Sequence, residues 1–198
     1  MATKKTAWAP FPAPSKAFQF NAAGLQKAWK QLHSGDAEPF PDAKRAEQLI
    51  KAAGKSAPKG ISAEAMADAL QAAWRAFHAG EFEQAFILGT ALGPIGTSVA
   101  AKALGIHATY LVKNADVRLA RFEQAAQMAE QAVAALPKEA NSHYRLAFGY
   151  GRYGQGISIA KALSTGLAGK IKTALDACLK LEPKHAEAHL ASALWHAE

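Results

Sequence analysis

The chain repeats itself, and this restricts its possible folds more than any other feature. Leu25–Asp36 reads LQKAWKQLHSGD and Leu70–Glu81 reads LQAAWRAFHAGE, an offset of 45 residues. Leu, Gln, Ala, Trp, His and Gly recur in register, and the last position stays acidic. A shorter echo, Phe82-Glu83-Gln84-Ala85, returns 40 residues later as Phe122-Glu123-Gln124-Ala125. Self-similarity at about 20–50 residues marks stacked supersecondary units, none of which can bury its apolar face alone.

Inside each unit the apolar spacing is helical. Leu25, Ala28, Trp29 and Leu32 fall at three- and four-residue intervals, as do Leu70, Ala73, Trp74 and Phe77. Alanine is abundant and Val and Ile are sparse, which favours helix over strand. Helices are predicted over about 21–33, 42–53, 62–77, 81–92, 97–114, 116–136, 139–153, 169–181 and 186–197, with Ser62 as an N-cap and Pro137 and Pro183 as stops. The expected fold is all-α, with helical hairpins at about 21–54, 62–96, 97–137 and 139–183, a terminal helix at 186–197, and a disordered Pro-rich leader over 1–20. Trp29 and Trp74 occupy matching positions and are expected to be inter-helix anchors.

The remaining composition narrows the function classes. One cysteine, Cys178, excludes an intrachain disulfide and fits a reducing compartment. No signal peptide is read at the N-terminus, because prolines at 10, 12 and 14 break any apolar run, so a cytoplasmic location is expected. The longest uncharged stretch, Gln84–Ala101, is interrupted by Gly89, Gly93, Pro94 and Gly96 and reads as two helix ends around a turn. The net charge of +7 is uneven: residues 1–60 carry ten Lys/Arg against four Asp/Glu, and the rest carry thirteen against twelve. A leader with Lys4, Lys5 and Lys16 makes contact with nucleic acid or an acidic surface the alternative reading.

Phe122-Glu-Gln-Ala125, Ala129, Ala132-Val133 and Pro137, continued by Tyr144, Leu146, Ala147 and Tyr150, resemble the helices of a tetratricopeptide repeat. Ala174-Leu175, Cys178-Leu179, Leu181 and Pro183 repeat the end of that motif, and Gly80-Glu-Phe82-Glu-Gln-Ala85 begins another copy. The resemblance covers about residues 21–198 and implies a right-handed α-α superhelix. The standard unit has 34 residues, whereas Pro137 to Pro183 spans 46. The extra dozen lie around GRYGQGISIAKALSTGLAGK, an insertion similar to that of the regulator-of-microtubule-dynamics family and its bacterial relatives. It is expected to be able to fold over the groove.

The resemblance implies a non-enzymatic scaffold that binds a protein or peptide partner along its inner face. Carried over residue by residue, that face presents Tyr110, Asn114 and Arg118 from one unit, and Asn141, Tyr144, Arg145 and Arg152 from the next. Asn and Arg together can clamp a carboxylate, although Tyr110 stands where clamp members usually carry lysine. An equal reading packs Tyr110 and Tyr144 between helices.

Other motifs carry less. Gly149-Tyr-Gly151-Arg-Tyr-Gly154 satisfies G-x-G-x-x-G, but a helix precedes it where a dinucleotide site needs a strand. His185, His189 and His196 share roughly one helical face without the H-E-x-x-H arrangement, so neither a metal nor a cofactor is expected; a small-molecule or metal-binding domain is a further alternative. His33 and His78 sit at equivalent turns and are expected to bond helix-end carbonyls. The terminal helix, with Leu190, Leu194 and Trp195, has no returning partner. It reads as part of a longer array, or as a face for self-association.

Overall fold

A computed structural model describes residues 8–13 and 16–197. Among these residues there are ten α-helices and no strand. They are α1 (Ala22–Leu32), α2 (Ala43–Ala53), α3 (Ala63–His78), α4 (Phe82–Ala91), α5 (Thr97–Tyr110), α6 (Ala115–Ala135), α7 (Ala140–Gly154), α8 (Ile159–Ser164), α9 (Leu167–Leu181) and α10 (Ala186–Ala197).

The helix starts follow from local chemistry. Side chains of Asn21, Asp42, Ser62 and Asn114 accept hydrogen bonds from the backbone N–H three residues on, at 2.7–3.1 Å. Each such cap stabilises its helix by about 1 kcal/mol. Gly80, at φ 79°, turns the chain between α3 and α4 in the left-handed region that favours glycine.

From α2 to α7 each helix packs against the next, α9 packs on α7, and α5 also touches α3 and α7, so the first helices of these units lie side by side. Small residues set the spacing. Ala100, Ala103 and Ala108 of α5 and Ala125, Ala126, Ala129 and Ala132 of α6 are buried. A Cβ on Gly149 would come within 2.8 Å of the Ala126 backbone, so α7 approaches α6 as closely as it does only because glycine stands there. Trp29 and Trp74 are both buried and meet edge-on at 5.6 Å, binding unit to unit.

Two expectations change. The insertion carries a helix where none is predicted between 153 and 169: α7 runs on to Gly154, and the added residues form α8, with Ile157 and Ala162 packed near Tyr153, Leu167 and Leu119. Nor is the whole leader loose. Trp8 lies against Phe86 and His107, with ring centroids 5.4 and 4.5 Å away, and Phe11 sits on Gly80. Two aromatic side chains outweigh the prolines' failure to form helix. The rest of the predicted disorder, at residues 1–7, 14 and 15, lies outside the described residues.

Candidate functional site

The α1–α2 connection, residues 33–42, does not leave the array as a surface loop. It folds across the first helices of the later units and places Asp36 at their centre, 0% exposed. His33 Nδ1–H donates to Asp36 Oδ1 at 2.9 Å. Lys102 Nζ of α5 and Arg145 Nη2 of α7 reach Oδ2 at 2.5 and 2.6 Å. The Asn141 amide of α7 donates to the Asp36 carbonyl at 2.8 Å and accepts from His185 Nε2 at 3.2 Å. At the start of α10, the Glu187 N–H donates to the Gly35 carbonyl, while its carboxylate stands 3.7 Å from Lys102 and 3.8 Å from Arg145. Asp36 thus ties the end of α1 to α5 and α7, and its neighbour Gly35 adds the start of α10.

The protonation states follow from these contacts. Burial alone would raise the Asp36 carboxyl, but the His33 hydrogen bond and the charges of Arg145 and Lys102 outweigh it and hold the group far below the ordinary carboxylate range. Because a carboxylate only accepts, His33 carries its proton on Nδ1. Its Nε2 then accepts from His78 Nε2–H at 3.2 Å. Burial pushes both imidazoles down, His78 to about 3. The two equivalent histidines therefore bond each other and an acid, not helix-end carbonyls. Glu38 is pushed up to about 7 by burial and the neighbouring Asp36 charge, while Ser98 Oγ–H donates to it at 2.5 Å.

Ala37 adopts φ 47°, a conformation costly for a residue with a Cβ, at the step where the chain turns inward. The strain is held in place by Asp36 on one side and, on the other, by Trp29 Nε1–H donating to the Glu38 carbonyl at 2.6 Å.

This arrangement divides the expected binding set. Asn141, Tyr144 and Arg145 are buried, Arg145 to 3% exposure. Asn141 and Arg145 hold the protein's own loop at Asp36, while Tyr144 packs against Phe148 and His185, so none of the three stands on an open surface. Asn114 spends its side chain on the α6 N-cap. Tyr110 is 73% exposed, so it does not pack between helices as Tyr144 does. Arg118 and Arg152 do come together. They line an open cleft of about 320 Å³ with Thr109, Leu119, Phe122, Gln155 and one acid, Asp116. Neither has a carboxylate within salt-bridge distance among the described residues.

The residues missed are Asp36, Glu38 and Lys102. The acid that ends both repeated segments was a visible signal, as was the tripeptide Pro-Phe-Pro, which stands at 10–12 and again at 39–41. The residues that fill the inner face come from the first unit's turn; the 149–170 insertion packs elsewhere.

Other motifs find ordinary places. Gly149, Gly151 and Gly154 lie within α7. His185 is buried, and its Nδ1 accepts from the Ala188 N–H. Cys178 is buried, which raises its thiol to about 12. No group of three or more His, Cys, Asp or Glu able to hold a metal occurs among the described residues. Lys4 and Lys5 of the basic leader lie outside the described residues; Lys16 is exposed. No helix among the described residues is long and apolar enough to cross a membrane.

The chain matches no protein-family model, no curated protein and no solved structure.

Proposed function

We propose that the protein is a non-enzymatic interaction scaffold that holds an acidic partner segment at the cleft between α6 and the end of α7. The observation that carries this reading is the convergence of Arg118 and Arg152, both without acidic partners among the described residues, over the apolar floor of Leu119 and Phe122. An arginine without an acidic partner can offer a planar fork of donors to a carboxylate, and the apolar floor adds area to the contact. Tyr110, exposed at the end of α5, adds an aromatic surface of the kind enriched at interfaces. The resemblance to tetratricopeptide repeats supports a binding role. Here, however, the inner face contains the chain's own residues 33–42, so the partner surface moves outward to this cleft.

The test is capture from native lysate with the wild type beside the double variant R118E/R152E. A discrete partner that is lost on charge reversal, and weakened as salt rises, is expected. An identical set of captured proteins from both forms would contradict the assignment.

A further inference from the structure

The chain contains two Xaa-Pro-Phe-Pro segments, Ala9–Pro12 and Glu38–Pro41, and both are held in the same way. In each, the carbonyl before the first proline accepts from an aromatic ring N–H. His107 Nε2 donates to Ala9 at 3.1 Å, and Trp29 Nε1 donates to Glu38 at 2.6 Å. In each, the phenylalanine meets an aromatic ring edge-on: Phe11 with Phe82 at 6.0 Å, and Phe40 with Trp29 at 5.2 Å. The second segment joins α1 to α2 and is also held by Gln71 of α3 and Ser98 of α5. The first lies across a site made by Gly80 and by α4, α5 and α6.

That site is built. Arg121 is buried, with its guanidinium 4.3 Å from the Trp8 ring centroid, and it hydrogen-bonds His107 Nδ1. This bond fixes the imidazole: Nδ1 accepts from arginine, so Nε2 carries the proton that the Ala9 carbonyl receives. His107 is also buried. Phe86 completes the wall beside Trp8. At the other end, a Cβ on Gly80 would lie 2.6 Å from the Phe11 ring, so the absence of a side chain there makes the seat for the phenylalanine. The seated segment, by contrast, is lightly held. Residues 8–13 form no helix, Pro10 and Pro12 are exposed, and Phe11 keeps 40% of its surface open.

We infer that this slot is a recognition site for an extended aromatic-Xaa-Pro-Phe-Pro segment, and that Trp8–Pro12 is its resident ligand, displaceable by a partner segment of the same chemistry. Proline pre-orders such a segment in an extended form, which lowers the entropy lost on docking. Two ring anchors and one main-chain hydrogen bond give specificity without a large interface. The slot shares no residue with the Arg118–Arg152 cleft, so either site can fail without the other.

The test uses the full chain with W8A and F11A, which empties the slot, and a fluorescein-labelled acetyl-WAPFPA peptide followed by fluorescence anisotropy. The emptied chain is expected to bind the peptide at least about tenfold more tightly than the wild type, whose tethered segment competes at a high effective concentration. Peptides with Trp→Ala or Phe→Ala should lose binding, a control that does not depend on how any protein variant folds. If the double variant loses its helical circular dichroism, the Trp8 indole N–H signal of the wild type is read instead, and excess peptide should move it to its free position. No binding to a folded, emptied chain at millimolar peptide, equal binding of the alanine peptides, or an immobile Trp8 signal would overturn the inference. So would a wild-type dimer that W8A/F11A converts to a monomer, because the occupant would then be a second copy.

Discussion

Residues 25–36 and 70–81 share a sequence pattern but not a destination. Their tryptophans meet edge-on and their histidines hydrogen-bond each other, so the two copies face one another as far as the turn. Beyond it they diverge. In the second copy three residues, 79–81, lead into α4, and Glu81 is exposed. In the first, ten residues separate α1 from α2, and Asp36 is drawn inward onto Lys102 and Arg145. The matching glycines both receive a remote part of the chain, but different parts: Gly35 borders Glu187, and Gly80 borders Phe11. Repetition therefore specifies the pairing of helices, while the length of the turn decides whether its acid is a surface group or the centre of the molecule.

The strongest way to break this comparison is to remove the two acids in turn. Asp36→Ala leaves Arg145 buried without its closest anion, and urea unfolding should show a loss of about 3–5 kcal/mol. The equivalent change Glu81→Gln, at an exposed site, belongs at the other end of the scale, within about 0.5 kcal/mol.

Acid should act on the same contrast. Burial holds His33, His78, His107 and His185 below their ordinary value of 6.5. Their contribution is present above that value and is lost as pH falls below it, because the unfolded chain takes up protons that the folded chain refuses. Glu38, raised from 4.5 to about 7, works in the opposite direction: its contribution is complete below 4.5 and is lost as pH rises through 7. Between 6.5 and 4.5 His78 and Glu38 largely offset each other, and the three other histidines tip the balance to a loss as pH falls; Asp36 adds to it below its ordinary value of 3.8. The melting temperature is expected to be lower at pH 5 than at pH 7.5. A higher value at pH 5 would mean that these histidines are not buried as neutral groups.

Smaller effects sharpen the comparison. Gly80→Ala combines a left-handed backbone with a collision against the Phe11 ring, and should cost about 1–3 kcal/mol and release Trp8 fluorescence toward that of an exposed indole. Gly35→Ala meets only the flexible Glu187 side chain, at 3.0–3.5 Å, and should cost less in the same unfolding assay. Ala37→Gly relieves a left-handed alanine and should gain up to about 1 kcal/mol; a loss would show that the loop is not strained there.

Much of the fold could be read from local signals. Periodicity located the helices, Ser62 marked the start of one, and the paired tryptophans identified the contact between units, whereas Asn114, read as the end of one helix, caps the start of the next. The site was harder to read because its residues are far apart in sequence. Asp36 and Arg145 are 109 positions apart, and no spacing rule links them. The arginine that looked like a groove contact is held by an acid that looked like part of a turn. Arg118 and Arg152 were both named from the repeat pattern, but only the fold brings them to one open cleft. Trp8 and Phe11 were hidden by the prolines around them, since a Pro-rich stretch reads as loose unless something receives its rings.

The central claim is that Asp36 and Arg145 are energetically coupled across the array. It is tested most directly by a double-mutant cycle with Asp36→Asn and Arg145→Met, measured by equilibrium urea unfolding. The account predicts that the double variant is more stable than the sum of the single losses implies, with an interaction energy of at least about 1.5 kcal/mol, well inside the range for residues in one buried network. Additivity within about 0.5 kcal/mol, as expected of distant, independent sites, would contradict it.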